Sequence, residues 1–217
     1  MSKRKPWIVK RQDVPELDDF RRLEAAGEAD SARNRALLAL LAHSGLRRRE
    51  ASRLDCQDLH LADRPPYLMV RDGKGSKDRQ VPLAQHVADD LLVFLGARRQ
   101  GPVFVSRGGG RGRRGCRLSG SQVYRVVKAL AARAGLPDVH PHSLRHLYAT
   151  THILAGTPLH TVSQYLGHAG IGVTKTYLHT LDTMNAVYPE RQAQVLRDGP
   201  SMSDLLKGGA AQASTAP

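Results

Sequence analysis

Three segments of the chain place cationic and other polar side chains inside otherwise apolar patterns. The first, residues 43–50, contains three consecutive arginines. The second, residues 140–146, holds three histidines and one arginine. The third, residues 165–168, ends in a histidine, and Tyr177 follows nine residues later. Side chains of these types act as hydrogen-bond donors, acids, bases and nucleophiles, so these segments are the candidate site.

The chemistry that best suits arginines from two separate segments is displacement at a phosphodiester. Attack by a nucleophile gathers negative charge on the non-bridging oxygens, and fixed cationic donors aimed there lower the barrier. A guanidinium offers forked donors and a permanent charge. With two guanidiniums in this role a divalent metal is unnecessary, and the sequence lacks the clustered carboxylates of a two-metal nuclease. We therefore expect no metal and no other cofactor.

The three segments resemble the catalytic domain of the tyrosine recombinases, also called the phage integrase family. That family shows a Gly-Leu-Arg-x-x-Glu box, a Gly-Lys-Gly turn between strands, His-x-Leu-Arg-His, Leu-Gly-His and a nucleophilic tyrosine. All five motifs occur here in the family's order, within residues 30–197. Each motif is weak alone, but five in order indicate the family. The resemblance implies a mainly α fold with a small antiparallel β-sheet (α+β), the fold of the tyrosine recombinase catalytic domain.

The resemblance also implies a role for each matching residue around a scissile phosphate. Arg47 and Arg145 would hold the phosphate, and His168 would donate a further hydrogen bond to it. Tyr177 would attack the phosphorus, giving a 3′-phosphotyrosyl bond and a free 5′ hydroxyl. Activity would then need neither metal nor ATP, because the covalent link stores the energy for rejoining.

Three further residues complete the implied set. Lys74, in the turn between the strands, would protonate the departing 5′ oxygen, although Lys77 lies in the same turn and leaves the identity of the acid open. His142 would exchange a proton near the tyrosine, and its three-residue offset from the second arginine puts both on one helical face. Glu50 has the same offset from the first arginine and would orient the site.

Purely structural interpretations of the same residues stay open. A run of arginines is commonly a solvated helix face, and a loop lysine is usually solvated too. The histidines of residues 140–146 could be buried and hydrogen-bonded, or could suggest a metal site, although no carboxylate or cysteine lies nearby. Tyr177 could be a packing tyrosine, but its spacing from His168 favours the nucleophile.

The charge balance indicates a polyanionic partner, which we take to be double-stranded DNA. The chain has 33 Lys and Arg against 20 Asp and Glu, a net charge of +13 and a pI of about 10.3. Within the Gly- and Arg-rich stretch 106–117, residues 110–115 formally match a dinucleotide fingerprint, but without βαβ surroundings they are interpreted as a flexible phosphate-contacting loop, with a plain disordered linker as the alternative. The residues expected to contact DNA are Lys77, Arg79, Arg107, Arg111, Arg113, Arg114 and Arg117.

Hydrophobic periodicity and turn residues predict the elements that must hold these side chains. Ser31 is the predicted cap of a helix that ends at Gly45. Strands are predicted at residues 67–70 and 79–83, joined by a turn at residues 72–76. Further helices are predicted around residues 47–54, 87–95, 123–130, 144–154, 158–166 (capped by Thr157), 174–178 and 189–196.

The predicted organisation is a basic arm with a short helix at residues 1–29, a catalytic domain at 30–197 and a disordered tail at 198–217. Most tyrosine recombinases carry an N-terminal domain that grips the opposite face of the duplex, and only about thirty residues precede the catalytic region here. The chain thus resembles the compact, single-domain members. The sequence lacks a secretory signal, a membrane-length apolar run and a disulfide framework, so we expect a cytoplasmic protein of bacterial, phage or plasmid origin, with no membrane partner.

The leading functional hypothesis is site-specific recombination, with four protomers on two DNA sites and a monomer or weak oligomer in free solution. The outcome could be integration, excision, inversion or resolution, and accessory proteins stay unknown. A type IB topoisomerase and a DNA-binding relic without catalysis are the alternatives. The complete Arg, Lys, His, Arg, His, Tyr set weighs against the relic. By resemblance, the last helix would dock onto a neighbouring protomer.

Overall fold

The computed structural model describes residues 15–71, 78–108, 115–167 and 187–198. Within these ranges the chain is mainly helical with one small antiparallel sheet, as predicted. The helices are α1 (Leu17–Glu28), α2 (Ala32–Ser44), α3 (Arg48–Arg53), α4 (Gln85–Leu95), α5 (Gly120–Arg133), α6 (Pro141–Leu154), α7 (Leu159–Leu166) and α8 (Val187–Asp198). The strands are β1 (Leu59–His60), β2 (Tyr67–Val70) and β3 (Arg79–Pro82), and a 3₁₀ turn (Cys56–Asp58) precedes β1.

Helix α2 runs through the centre of the core and delivers the chain to the first arginine segment. Its predicted cap is confirmed, because the Ser31 side chain accepts a hydrogen bond from the backbone of Asn34. Leu37, Leu40 and Leu41 are fully buried, so the helix is apolar on nearly every side. The helix ends at Gly45, whose left-handed conformation (φ 60°) turns the chain towards α3.

Helix α6 packs against α2 and carries the second segment. His140 caps it, since the imidazole Nδ1 accepts a hydrogen bond from the backbone N–H of Ser143, and Pro141 occupies the first turn. Leu144 and Leu147 are fully buried against the core, as the periodicity predicts. The helix therefore holds its polar N-terminal half in a fixed position beside the end of α2.

The sheet has the order β1-β2-β3 with both pairs antiparallel. Leu68 of β2 faces Val81 of β3 in the register, and both side chains are fully buried. The predicted turn between β2 and β3 lies outside the described residues. The sheet covers the edge of the core at which α7 also contacts β3.

Two local predictions need adjustment. Helix α7 begins at Leu159 with Pro158 as its N-cap, so Thr157 is not the cap and Pro158 is not the first helical residue. The reason is that Pro158 has a ψ of 140°, which is extended and not helical. The predicted loop at 106–117 is closed at its base, because Ser106 donates its backbone N–H to the carbonyl of Cys116.

Helices α1 and α8 both pack into the same core. Leu17, Phe20 and Leu23 of α1 are fully buried, as are Ala193 and Leu196 of α8. The Arg21 guanidinium donates to the carbonyl of Arg197 at the C-terminal end of α8 at 2.7 and 3.1 Å. In addition, Glu190 Oε1 accepts the backbone N–H of Gln85 at the start of α4. Helix α8 is therefore held by the chain's own helices.

A cluster of buried polar side chains joins α2, α6 and α8. Gln192 of α8 is 1% exposed; its Oε1 lies 3.2 Å from His43 Nδ1, and its Nε2 donates to Thr151 Oγ1 at 3.1 Å. His152 Nδ1 lies 2.9 Å from Thr157 Oγ1. Burial lowers the pKa of both histidines to about 3, with His86 adding to the shift of His43. Both imidazoles are therefore neutral near pH 7 and serve packing and hydrogen bonding.

No helix in the described ranges combines the length and the apolar character needed to span a bilayer.

Candidate active site

Residues from the first two sequence segments meet in one open pocket. The pocket has a volume of about 480 Å³ and lies between the start of α3, the N-terminal half of α6 and α5. It is lined by Leu46, Arg47, Arg48, Arg49, Tyr124, His140, Pro141, His142 and Arg145. Three residues expected at the site, Arg47, His142 and Arg145, therefore share one cavity.

Arg145 is the buried cation of this pocket. It is 3% exposed, and its two terminal nitrogens donate to the carbonyls of Gly45 at 2.7 Å and Leu166 at 2.6 Å. Burial, followed by the nearby charge of Arg47, lowers the pKa of Arg145 to about 10. The guanidinium thus stays charged at neutral pH, and its position is fixed by backbone groups of two other segments.

Arg47 is the exposed cation. Its Nη1 pairs with Glu50 Oε1 at 2.8 Å, and its backbone N–H donates to Glu50 Oε2 at 2.8 Å. Its Nη2 makes a long hydrogen bond of 3.4 Å to the carbonyl of Gly167. Burial acts to raise the pKa of the Glu50 carboxyl, but Arg79 and then Arg47 outweigh it and hold the pKa below its ordinary value. Glu50 is therefore ionised and holds Arg47 by both its side chain and its backbone.

Arg79 occupies a position that differs from the expected DNA contact. Its side chain is only 11% exposed, Nη2 pairs with Glu50 at 2.8 Å, and Nε donates to the carbonyl of Tyr165 at 2.7 Å. This burial argues against a DNA contact and puts Arg79 behind the pocket. The sequence held a signal for this position, since strand alternation gives Arg79 the same face as buried Val81. A charged residue on the core side of a strand needs a partner within the protein.

Two glycines allow the backbone to approach these arginines. A Cβ on Gly45 would lie 2.5 Å from Tyr148 Cδ1, and φ is 60°. A Cβ on Gly167 would lie 2.7 Å from Arg79 Nη1, and φ is 62°. Both residues have left-handed conformations and no room for a side chain. Steric constraints therefore explain why the Gly-Leu-Arg and Leu-Gly-His motifs have glycine at these positions.

The rim of the pocket holds the motif residue His142 and one residue, Tyr124, that the motifs do not mark. His142 is exposed, and its ring lies 4.4 Å from that of His146 one turn further along α6. Tyr124 of α5 is 37% exposed, and the Arg48 guanidinium lies 5.7 Å from the centre of its ring. The sequence signal for Tyr124 is its place just off the buried face of α5, beside Val123.

Several candidate residues lie elsewhere. Arg107 is exposed at the loop base, whereas Arg117 pairs with Asp55 at 2.6 Å and also donates to the carbonyls of Ser52 and Leu54. DNA contacts by these two arginines stay predictions. The candidates outside the described residues are Lys74, Lys77, Arg111, Arg113, Arg114, His168 and Tyr177. In the described ranges no three His, Cys, Asp or Glu side chains are grouped so that they could hold a metal ion.

Comparison with known proteins gives the same assignment as the motifs. Residues 12–184 match the phage integrase family. A tyrosine recombinase of Thermosipho africanus is 36% identical over 159 residues, which are 73% of this chain and 53% of that protein. The tyrosine recombinase XerD of Bifidobacterium longum is 35% identical over 181 residues, covering 77% of this chain and 58% of the relative. The chain thus spans a little over half the length of these relatives.

Solved structures agree at the level of the fold. The crystal structure of XerA recombinase superposes with a TM-score of 0.70 at 26% identity, over 99% of this chain and 68% of that one. The integrase from mycobacterium phage Brujita superposes with a TM-score of 0.61 at 25% identity, over 94% and 64% of the two chains. The motifs, the meeting of Arg47 with Arg145 and the match over residues 12–184 lead to one conclusion: the chain belongs to the phage integrase family.

Proposed function

We propose that the chain is a site-specific DNA recombinase that cuts and rejoins strands through a covalent bond to Tyr177. The observation that carries the proposal is the convergence of the Arg47 and Arg145 guanidiniums, from distant parts of the chain, on one open pocket. A pair of cations at an open cavity, one held by backbone carbonyls and one exposed, suits a tetrahedral anion such as a backbone phosphate.

The proposed reaction is an exchange of one oxygen for another on phosphorus. The Tyr177 phenol oxygen bonds to the phosphorus, the bond to the 5′ oxygen breaks, and a 3′-phosphotyrosyl link remains. Lys74 gives the departing 5′ oxygen a proton, with Lys77 as the other candidate for this acid, while His142 at the pocket rim accepts the phenol proton. Rejoining is the reverse, with a 5′ hydroxyl as the nucleophile. Since no bond energy is lost to water, no nucleotide is needed.

The two arginines and His168 stabilise the charge that develops on the non-bridging oxygens. Removing one preorganised donor of this kind commonly lowers a rate by roughly 10²- to 10³-fold. Arg145 has its geometry set by two backbone carbonyls, whereas Arg47 is free enough at 44% side-chain exposure to close on a substrate. With both charges supplied by the protein, the reaction we propose is independent of metal ions.

The partner we propose is double-stranded DNA. The net charge of +13 favours a polyanion, because lysines and arginines release the counterions condensed on phosphates. Relatives with 35–36% identity are called tyrosine recombinases, which supports the same substrate class. We further propose that four protomers act on two sites and that the protein works in the cytoplasm.

A nicked suicide substrate tests the proposal. The duplex carries the chain's own site, recovered beforehand by cross-linking and sequencing bound fragments, and a nick that lets the 5′ product diffuse away. With EDTA present, we expect a denaturation-resistant protein–DNA adduct that is lost in Tyr177→Phe. Wild-type protein that binds a half-site but forms no adduct would overturn the proposal and favour a DNA-binding relic.

The type IB topoisomerase alternative has its own readout. Its site is chemically alike, but its substrate is any supercoiled duplex. Relaxation of a plasmid without the specific site, at a rate equal to that of a plasmid with it, would favour the topoisomerase. Strand exchange between two copies of the site would favour the recombinase.

A further inference from the structure

We propose that Arg79 is a positioning residue for phosphate cleavage, acting through Glu50 and the C-terminal end of α7 and not through contact with DNA. This inference rests on the proposed function. It replaces the surface contact expected of Arg79 with a role behind the pocket. Three steps lead to it: the carbonyls at the end of α7, the shared carboxylate, and the steric fit at Gly167.

The end of α7 presents three consecutive carbonyls to three arginines. Arg79 donates a hydrogen bond to the carbonyl of Tyr165 at 2.7 Å. Arg145 donates to the carbonyl of Leu166 at 2.6 Å. Arg47 donates to the carbonyl of Gly167 at 3.4 Å. These are carbonyls that a helix C-terminus leaves without intrahelical partners, at the negative end of its dipole. The helix end therefore binds all three guanidiniums, Arg79 and Arg145 closely and Arg47 more loosely, and His168 follows it directly in sequence.

Glu50 links Arg79 to the exposed clamp arginine. Its Oε2 accepts from Arg79 Nη2 at 2.8 Å, and its Oε1 accepts from Arg47 Nη1 at 2.8 Å. With Arg79 in place, one oxygen is held from the buried side and the other directs Arg47. Without Arg79, Oε2 keeps only the backbone N–H of Arg47 as a partner, so the carboxylate can turn towards the Arg47 guanidinium and draw it away from a phosphate.

The fit at Gly167 shows how closely Arg79 meets the end of α7. A Cβ at Gly167 would lie 2.7 Å from Arg79 Nη1 and 2.9 Å from Cζ, so the guanidinium lies against the backbone at the point where the chain leaves the helix. Because Arg79 is 11% exposed on its side chain and bound on both sides, it cannot reach a DNA phosphate without breaking these contacts. Its effect on the reaction is therefore indirect.

The test separates binding from cleavage. In Arg79→Met, we expect half-site affinity within about twofold of wild type, while the single-turnover rate of adduct formation falls by roughly 30- to 100-fold. Arg79→Lys keeps a charge next to Glu50 but cannot also donate to the carbonyl of Tyr165, so its adduct rate should lie between those of wild type and Arg79→Met. The matched control is Arg98→Met, which also removes a guanidinium that donates to two carbonyls, those of Pro102 and Val103, away from the pocket.

Several results would overturn the inference. One is a tenfold or larger loss of half-site affinity in Arg79→Met, which would make it a DNA contact. A second is an adduct rate in Arg79→Met within threefold of the wild-type rate. A third is a loss of adduct rate in Arg98→Met as large as that in Arg79→Met. If Arg79 acts through Glu50, the double variant Glu50→Gln/Arg79→Met should be little slower than the slower single variant, and independent, multiplying losses would contradict that.

Hydrogen exchange gives a readout that does not require cleavage. In Arg79→Met and, more weakly, in Arg79→Lys, the amides of the last turn of α7 should exchange about tenfold faster than in wild type, whereas Arg98→Met should leave them unchanged. Unchanged exchange in both Arg79 variants overturns the inference even if the chain cuts no DNA. A wild-type protein that forms no adduct, with faster exchange in the variants, overturns the proposed function alone.

Discussion

The molecule buries ionisable side chains in two regions and treats their charge in opposite ways. At the end of α7, Arg145 is 3% exposed, yet burial and Arg47 lower its pKa only to about 10, so it stays a cation. At the junction of α2, α6 and α8, His43 and His152 are as deeply buried, but their pKa values of about 3 leave them neutral. Similar burial thus gives a charged cluster in one region and an uncharged one in the other.

The main difference lies in the side chains themselves, because an arginine starts from a pKa far above neutral and a histidine from about 6.5, so similar decreases leave Arg145 charged and both histidines neutral. The partners in each region act in the same direction. The arginine cluster has Glu50 and three carbonyls of a helix end, which stabilise positive charge. The histidines have an amide oxygen and a hydroxyl, which satisfy a neutral ring but offset little of the cost of burying a charge. Burial alone therefore does not set the charge of an ionisable side chain in this protein.

The largest effect expected from this comparison is on catalysis. Arg145→Lys keeps the charge but loses the fork that reaches both Gly45 and Leu166, so its nitrogen cannot hold the same place at the pocket. We expect the single-turnover adduct rate to fall by about 10²- to 10³-fold. The control is Arg133→Lys, at an exposed ion pair with Asp30, which should change the rate by less than twofold. A loss below threefold in Arg145→Lys would contradict the expectation that the forked contacts of Arg145 position its charge at the pocket.

The second effect concerns the backbone between the two regions. Gly45→Ala forces a left-handed alanine and puts its Cβ 2.5 Å from Tyr148, which also lies against His152. We expect the free energy of unfolding, measured by urea denaturation, to fall by about 2–4 kcal/mol. Gly135→Ala is the matched control, since φ is 74° but nothing lies within 4 Å of a Cβ, and it should lose only about 1 kcal/mol. Equal losses in the two variants would show that contact with Tyr148 adds nothing.

The third effect is the pH dependence of stability that the two buried, neutral histidines cause. The folded state keeps His43 and His152 neutral down to about pH 3, whereas the unfolded chain protonates them near pH 6.5. The unfolded state therefore binds more protons in this window, and stability falls as the pH decreases. Each histidine should lower the free energy of unfolding by about 2 kcal/mol between pH 7.5 and pH 5.

His152→Gln isolates this contribution, whatever its stability at pH 7.5. Its loss of stability on going to pH 5 should be smaller than that of wild type by about 2 kcal/mol, because one titrating group is gone. Parallel pH profiles for the two proteins would mean that His152 accepts a proton in the folded state, like the arginines and unlike His43.

The smallest effect concerns a partly buried carboxyl group, whose contribution to stability changes with pH in the direction opposite to that of the histidines. Burial, followed by Glu28, raises the pKa of Glu24 on α1 to about 7. The folded state then binds more protons than the unfolded one between pH 4.5 and 7, so this group's contribution to stability is lost as the pH rises. Glu24→Gln should stabilise the protein by about 1 kcal/mol at pH 8, allowing for partial contact with water, and leave it unchanged at pH 4. Glu28→Gln, a substitution at an exposed neighbouring residue, should change the stability less than Glu24→Gln does.

The sequence predicts the parts of the fold and site that depend on local pattern. The caps at Ser31 and Gly45, the apolar faces of α2 and α6, and the strand at residues 67–70 all follow from periodicity and turn residues. The family motifs also identify Arg47 and Arg145, which the structure brings to one pocket. The catalytic roles themselves stay predictions, since His168 and Tyr177 lie outside the described residues.

The parts that the sequence did not predict depend on contacts between distant segments. Strand alternation puts Arg79 on the buried face of β3, but its partners, the Tyr165 carbonyl and Glu50, are known only once α7 and α3 are placed against that strand. The packing of α8 onto its own chain depends likewise on Gln192 meeting His43 and Thr151 from two other helices. Such pairings are set by tertiary packing, which a reading of local spacing does not reach.

Helix α8 is anchored near both ends, by Glu190 to the backbone of Gln85 and by the carbonyl of Arg197 to Arg21. A neighbouring molecule that took over the buried face of this helix would have to displace these contacts and expose Ala193 and Leu196 to water. Any exchange of α8 between subunits therefore carries the cost of opening the core that the helix closes.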